Sequence, residues 1–422
     1  MKINWLGLVV MAVLCIAIDI YICRRLGRNG YRWAMRFNAL LALLSGGLVV
    51  AIGVLPMSSA AMSNSTFVAC QYMLYTFFAI LVPKVLGMLV YGIMRCVKRH
   101  WASIAAFVVA ALVFGLMWWG AIVTPGTIEV RQVELEFDRL PDAFDGYRIV
   151  QWSDAHLGTY NGRTAIVERQ IDAINALNAD MICFTGDLVS RETNEAEPYR
   201  ELLSRLHAPD GVFSVLGNHD YDNYVTWDDE QAKLADRKAL CDLQRAAGWR
   251  LLNDDHAIIR RGNDQIVLIG TENYGDRPGE KQGNLVRAYS GLRDGNFKIQ
   301  LQHNPYAWRA NTLTNSNIDL MLAGHTHAWQ FMIKIGNWRW SPASIRYPEW
   351  GGAYREGDQQ LYVNIGTGMV GPPMRIGATP EITVITLKKI KDKRYYGNST
   401  LDAHFSGAQY PHQSGGRHRQ SA

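Results

Sequence analysis

The 422-residue chain is 48% hydrophobic and 19% charged with only six cysteines, which leaves room for two domains and excludes a small disulfide scaffold or a wholly disordered chain. Its net charge of +5 is unevenly placed: residues 1–123 hold ten Lys or Arg against one Asp, or +9, which leaves −4 for the rest. The slightly acidic second part lacks the clustered cations that bind phosphate backbones, so no nucleic-acid partner is expected.

Four apolar runs, at about 4–22, 38–55, 66–94 and 101–123, each approach or exceed the roughly 20 residues that span a bilayer. They predict an all-α membrane domain of four transmembrane helices over 1–123. A cleaved signal peptide fits less well, because Lys2 is the only early charge and three more apolar runs follow. Arg24, Arg25, Arg28, Arg32 and Arg36 flank the first connection and Arg95, Lys98 and Arg99 the third, whereas 56–65 is uncharged. By the positive-inside rule those basic loops are cytoplasmic, which puts everything after residue 124 on the exoplasmic side, periplasmic or extracellular. Asp19 and Lys84 lie inside the runs and are expected to pair or to snorkel.

From residue 127 the pattern changes. A linker and first strand occupy 124–146, with alternation over 130–137, and 147–152 is a short apolar strand ending in Ser153-Asp154. Ile166, Ile171, Ile174 and Leu177 share a helical face before a strand at 181–184, where Cys183 reads as a core thiol. Leu202, Leu203 and Leu206 suggest another helix before a strand at 212–216. Further strands are expected at 265–269, 297–301, 318–322, 361–365 and 382–387, giving an α/β fold, a mixed β-sandwich flanked by helices over 147–390. The polar tail, 396–422, is expected to be disordered.

Five polar or glycine-rich turns follow these apolar strands, where ligands collect in α/β sheets. They read Asp154-Ala155-His156, Gly186-Asp187, Gly217-Asn218-His219-Asp220, His303-Asn304 and Gly324-His325-Thr326-His327. Any one of them fits ordinary turn chemistry. Together they gather five of the eleven histidines with Asp154, Asp187 and Asn218 and no thiol. That nitrogen and oxygen donor set suits two divalent ions such as Mn, Fe, Zn or Co.

The ordered set resembles the calcineurin-like metallophosphoesterase superfamily, with 31 residues from His156 to Asp187 and 31 more to Asn218. Asn364-Ile365-Gly366-Thr367-Gly368, Arg375 and Pro380-Glu381-Ile382 extend the resemblance to its membrane-anchored bacterial branch. The resemblance implies that Asp154, His156 and His327 bind one metal and Asn218, His303 and His325 the second, with Asp187 bridging. It implies that His219 is a general acid or transition-state stabiliser, with Asp220 helping to orient it. Two cations about 4 Å apart activate water for in-line attack and neutralise phosphoryl charge.

One departure stands out. Some members read GDxxDR, whereas here Ser190 of Gly186-Asp187-Leu188-Val189-Ser190-Arg191 replaces the acid that would pair with the catalytic imidazole. An aromatic and basic stretch with Trp329, Trp338, Arg339, Trp340, Arg346, Tyr347, Trp350, Tyr354 and Arg355 reads either as a substrate wall or membrane-facing rim, or as ordinary packing. The expected activity is hydrolysis of a phosphodiester or lipid-phosphate ester at the membrane. The alternatives are lipid-sugar pyrophosphate hydrolysis and a non-catalytic metal-binding module.

Overall fold

The computed structural model describes residues 5–54, 62–97 and 101–390, so the tail expected at 396–422 lies outside the described residues. Four long helices come first: α1 (Trp5–Arg28), α2 (Arg32–Val54), α3 (Asn64–Val97) and α4 (Ala102–Ile122). Among the described residues, three segments are long and apolar enough to cross a membrane: Arg32–Ala51, Asn64–Val97 and Ala102–Gly126. The expected count of four is therefore corrected to three on that criterion. The first of the four predicted runs also forms a helix, α1, which lies outside that count. Asp19 is tied into the bundle as expected, 2.6 Å from Lys84 Nζ of α3, and it also accepts from Asn38 Nδ2 of α2 at 3.1 Å. Pairing the carboxylate with the ammonium removes most of the cost of leaving either charge alone among apolar helices.

The remainder contains the strands β1 (Glu129–Phe137), β2 (Arg148–Trp152), β3 (Met181–Phe184), β4 (Val212–Ser214), β5 (Arg250–Leu251), β6 (Asp255–Arg261), β7 (Asp264–Gly270), β8 (Phe297–Leu301), β9 (Leu320–Ala323), β10 (Ile333–Ile335), β11 (Trp338–Trp340), β12 (Gly352–Glu356), β13 (Gln359–Val363) and β14 (Glu381–Lys389). Interspersed helices are α5 (Thr164–Ala176), the single turn α6 (Arg200–Leu203), α7 (Glu230–Ala246) and α8 (Leu285–Tyr289). Two six-stranded mixed sheets form, in the orders β1-β14-β2-β3-β4-β5 and β12-β13-β9-β8-β7-β6, while β10 and β11 make a separate hairpin.

The period-two rule of strands explains the layering. In β3, Met181 and Cys183 point to the interior between the sheets, where they meet Ile266, Leu268 and Ile299 of the second sheet. Ile182 and Phe184 point the other way and pack with Ile171 and Ile174 of α5 and Leu240 and Leu243 of α7. On the outer face of the second sheet, Val267 and Ile269 are covered by Leu285 and Ala288 of α8. The fold is thus the expected β-sandwich with helices outside. Strands β2, β3 and β4 run parallel to one another, as do β7, β8 and β9. Their C-terminal ends therefore gather into one crevice.

The helical part docks beside that crevice. Asn64 Nδ2, at the start of α3, donates to the Gly158 carbonyl at 2.7 Å, and the Arg375 amide donates to the Gly120 carbonyl near the end of α4 at 2.8 Å. Arg191 donates to the Met62 carbonyl at 3.2 Å, and its guanidinium lies 4.3 Å from the Phe67 ring centroid.

Candidate metal centre

Every sequence-predicted ligand follows a strand end. Asp154 and His156 follow β2, Asp187 follows β3, Asn218 follows β4, His303 follows β8, and His325 and His327 follow β9. The backbone there is bent sharply: Asp154, His156, Asp187, His325 and His327 all have φ between 41° and 74°. That left-handed region is costly for residues with a Cβ, and such strain persists where surrounding structure holds it for function.

These bends bring the donor atoms together. Three groups have ligand atoms within 4.8 Å of one another: Asp154, His156 and His327; His156, Asp187 and His219; and Asp187, His303 and His325. His327 Nε2 lies 3.1 Å from Asp154 Oδ1 and 3.1 Å from His156 Nε2. His303 Nε2 lies 3.1 Å from both Asp187 Oδ2 and Asn218 Oδ1, and Asp187 Oδ2 is 3.5 Å from His156 Nε2. Such spacings are those of neighbouring ligands on one ion with bonds of about 2.0–2.2 Å. The donor set fits two divalent ions sharing Asp187.

Surrounding groups set the direction of each donor, as outer-shell partners of metal ligands do. His303 Nδ1 donates to the Thr185 carbonyl at 2.8 Å, which leaves Nε2 for the site. Asn218 Nδ2 donates to the Tyr224 hydroxyl at 2.7 Å, which turns Oδ1 toward His303. His325 Nε2 lies 2.9 Å from the Tyr347 hydroxyl, and buried Arg375 reaches His327 Nδ1 at 3.1 Å.

Ser190 resolves the departure noted above. Its backbone carbonyl accepts from His219 Nδ1 at 2.7 Å, replacing the missing carboxylate, and its hydroxyl lies 3.2 Å from His156 Nδ1. Tyr224 stacks flat on His219, with centroids 3.9 Å apart and an interplanar angle of 8°. Asp220 accepts from the amides of Asp187, Leu188, Val189 and Gly217 at 2.8–3.2 Å. It pins the Asp187 turn to the Asn218 turn, so it positions backbone, and the expected orientation of His219 comes instead from Ser190 and Tyr224. Tyr224 had no sequence signal beyond its place six residues after Asn218.

The site's charges follow from burial and crowding. Burial pushes the Asp187 carboxyl up, but His303 and His219 outweigh it and hold it well below the carboxylate range. Burial drives His156 well below its ordinary range, and burial with the charge on His303 takes His325 down to about 3. Burial opposes charge on His303 too, yet the contact with Asp187 wins and raises it to about 9. Without metal, His303 is therefore expected to carry a proton at neutral pH, which an incoming ion would displace. Metal uptake near neutral pH is expected to release about one proton and to tighten about tenfold per pH unit. That gain ends as pH passes the His303 value of about 9. Calorimetry in buffers of different ionisation enthalpy reads the release directly, and zero release at neutral pH contradicts the assignment.

Gly217 is a steric requirement of the centre. A Cβ there would overlap Asp187 Oδ1 and come within 2.5 Å of the Asp187 amide nitrogen. Gly217→Ala is expected to displace the shared carboxylate, lowering bound metal and reducing kcat/KM about 100-fold, the scale of a misplacement near 1 Å. Unchanged metal content and turnover would refute this packing argument.

Comparison with known proteins agrees with the geometry. A family model described as calcineurin-like phosphoesterase matches residues 147–329. The uncharacterized metallophosphoesterase YkuE of Bacillus subtilis is 32% identical over 279 residues, which cover 63% of this chain and 87% of that protein. The chain belongs to the calcineurin-like metallophosphoesterases. This metallophosphoesterase is also 32% identical over 300 residues to a transmembrane protein with metallophosphoesterase domain from Danio rerio, covering 68% of this chain and 63% of that one. UDP-2,3-diacylglucosamine pyrophosphatase LpxG of Chlamydia trachomatis is 36% identical over 115 residues, 27% of this chain and 35% of that protein. The names of the relatives and the apolar helices support association with a membrane.

Proposed function

We propose that the chain is a membrane-anchored phosphoesterase with a binuclear metal centre that hydrolyses phosphodiester or lipid-phosphate esters. The observation that carries this reading is the convergence of seven donors from five strand ends, with His219 beside them. In this reading Asp154, His156 and His327 hold one divalent ion and Asn218, His303 and His325 the other, with Asp187 shared. Mn, Fe, Zn and Co suit these donors. Bound ions would supply Lewis acidity and an activated water.

The chain's own residues account for the rest. In-line attack of water on phosphorus breaks the bond to the leaving oxygen, which must gain a proton. His219 has Nδ1 engaged by Ser190, so Nε2 is the nitrogen left to carry that proton. Burial lowers the imidazole's pKa against the pull of Asp187, which makes the protonated ring a stronger acid but a scarcer one at neutral pH. Stacking on Tyr224 keeps the ring in one plane.

Asn64, at the start of α3, and Gly120, near the end of α4, both meet the catalytic part, so these two helix ends and the catalytic domain share one end of the bundle. With the basic loops at the other end, this supports an exoplasmic catalytic domain. A second reading, lipid-sugar pyrophosphate hydrolysis, is favoured by the similarity to LpxG alone. The test is turnover by the full chain, in detergent with Mn, of bis(p-nitrophenyl) phosphate, p-nitrophenyl phosphate and a lipid-linked sugar pyrophosphate. Preference for the diester supports the first reading. Cleavage of the pyrophosphate alone replaces it with the second.

A further inference from the structure

The hairpin of β10 and β11 is left unexplained by the hydrolytic site. Its register pairs Ile333 with Trp340, Lys334 with Arg339 and Ile335 with Trp338. By strand alternation Ile333, Ile335, Trp338 and Trp340 therefore share one face, and Lys334 and Arg339 share the other. All four apolar residues are exposed, Ile335 by 69% and Trp338 by 54%. A two-stranded hairpin with a bare apolar face is marginal in water, and such a face marks an interaction surface.

The root of the hairpin is tied to the helical bundle. At the hairpin's root, the Met332 amide donates to the Ile376 carbonyl at 2.9 Å. Ile376 and its neighbour Met374 pack against Tyr75 and Ala79 of α3 and Met117 and Ala121 of α4. Just before Ala121, Trp119 is 61% exposed one turn from the end of α4, and exposed Trp near the ends of membrane spans is typical of the aromatic belt. The hairpin thus leaves the protein from a point sealed to the end of a membrane span. Of its two cations Lys334 is exposed, whereas Arg339 turns inward, 5.7 Å from the Trp350 ring centroid, and the Trp350 carbonyl accepts from Thr326, between His325 and His327, at 2.6 Å.

We propose that this hairpin is an interfacial anchor. Its Ile and Trp face enters the headgroup boundary of the leaflet beside the catalytic domain, so that a phosphoester carried on a lipid reaches the centre laterally. The anchor follows from the hairpin alone, whereas the lateral delivery rests on the phosphoesterase reading. Aromatic and aliphatic side chains with flanking cations are the composition that binds this boundary.

The test uses the full chain in nanodiscs of phosphatidylcholine and phosphatidylglycerol. A Cys96→Ser background carries Ile335→Cys, or Lys238→Cys on exposed α7 as control, labelled with an environment-sensitive fluorophore. Shallow doxyl-labelled lipids are expected to quench the label at 335 about threefold more than that at 238, with aqueous iodide showing the reverse order. Equal access of iodide to both positions overturns the anchor. In a second arm, Ile335→Ser with Trp338→Ser is expected to leave bis(p-nitrophenyl) phosphate turnover within about twofold and to lower cleavage of a lipid phosphoester in the disc about tenfold. Equal changes on both substrates overturn lateral delivery. Absence of turnover on every substrate, with the lipid quenching intact, retires the hydrolase reading and leaves the anchor standing.

Discussion

Asp187→Asn is expected to abolish activity more completely than any other single change, lowering turnover about a thousandfold or more. The side chain keeps its volume, so the effect is one of charge. Asp187 Oδ2 lies 3.1 Å from His303 Nε2 and 3.5 Å from His156 Nε2, and Oδ1 accepts from the His219 amide at 2.8 Å. A neutral amide there loses the one negative charge common to both halves of the centre. Metal content is expected to fall below two ions per chain. His303, raised by Asp187, should lose most of its elevation. A variant with full metal content and wild-type turnover would show that Asp187 is not the shared ligand.

His219→Gln is expected to lower kcat/KM about 100-fold to 10,000-fold while both ions stay bound. The half-buried ring is held between Tyr224 on its face and the Ser190 carbonyl, and Gln retains a polar group of similar reach. The diagnostic is the leaving group. Esters of p-nitrophenol, whose oxygen needs little protonation, should suffer far less than alkyl esters. Equal losses on both would assign His219 to phosphoryl binding, and loss of metal would make it a ligand.

Much of this site was legible before the structure because its donors stand in short turns after apolar strands. β3 and β8 fell where 181–184 and 297–301 predict them. The left-handed backbone of Asp154, His156, Asp187, His325 and His327 was not legible, since nothing in residue type marks an Asp or His for positive φ. Nor was the role of Ser190, which acts through a main-chain carbonyl that every residue possesses. The long helix α7 escaped because its apolar residues are sparse. It starts on an Asp229 side chain accepting from the Ala232 amide at 2.7 Å, and only Leu240, Cys241 and Leu243 of its apolar residues are buried. Conversely, the leucines at 202, 203 and 206 yielded only the single turn α6, because a three-residue apolar cluster fixes a face and not a length. The hairpin of β10 and β11 was visible as composition, but that its apolar residues share a face depends on register.

Hydrolysis is expected to require both halves of the centre at once. The most direct measurement strips the full chain of metal, returns Mn in measured steps, and follows bound metal and bis(p-nitrophenyl) phosphate turnover together. Turnover is expected to emerge as the second ion binds and to be absent throughout in Asp187→Asn. Full turnover in the stripped chain, or none with two ions bound on this and every lipid phosphoester offered in a bilayer, would contradict it.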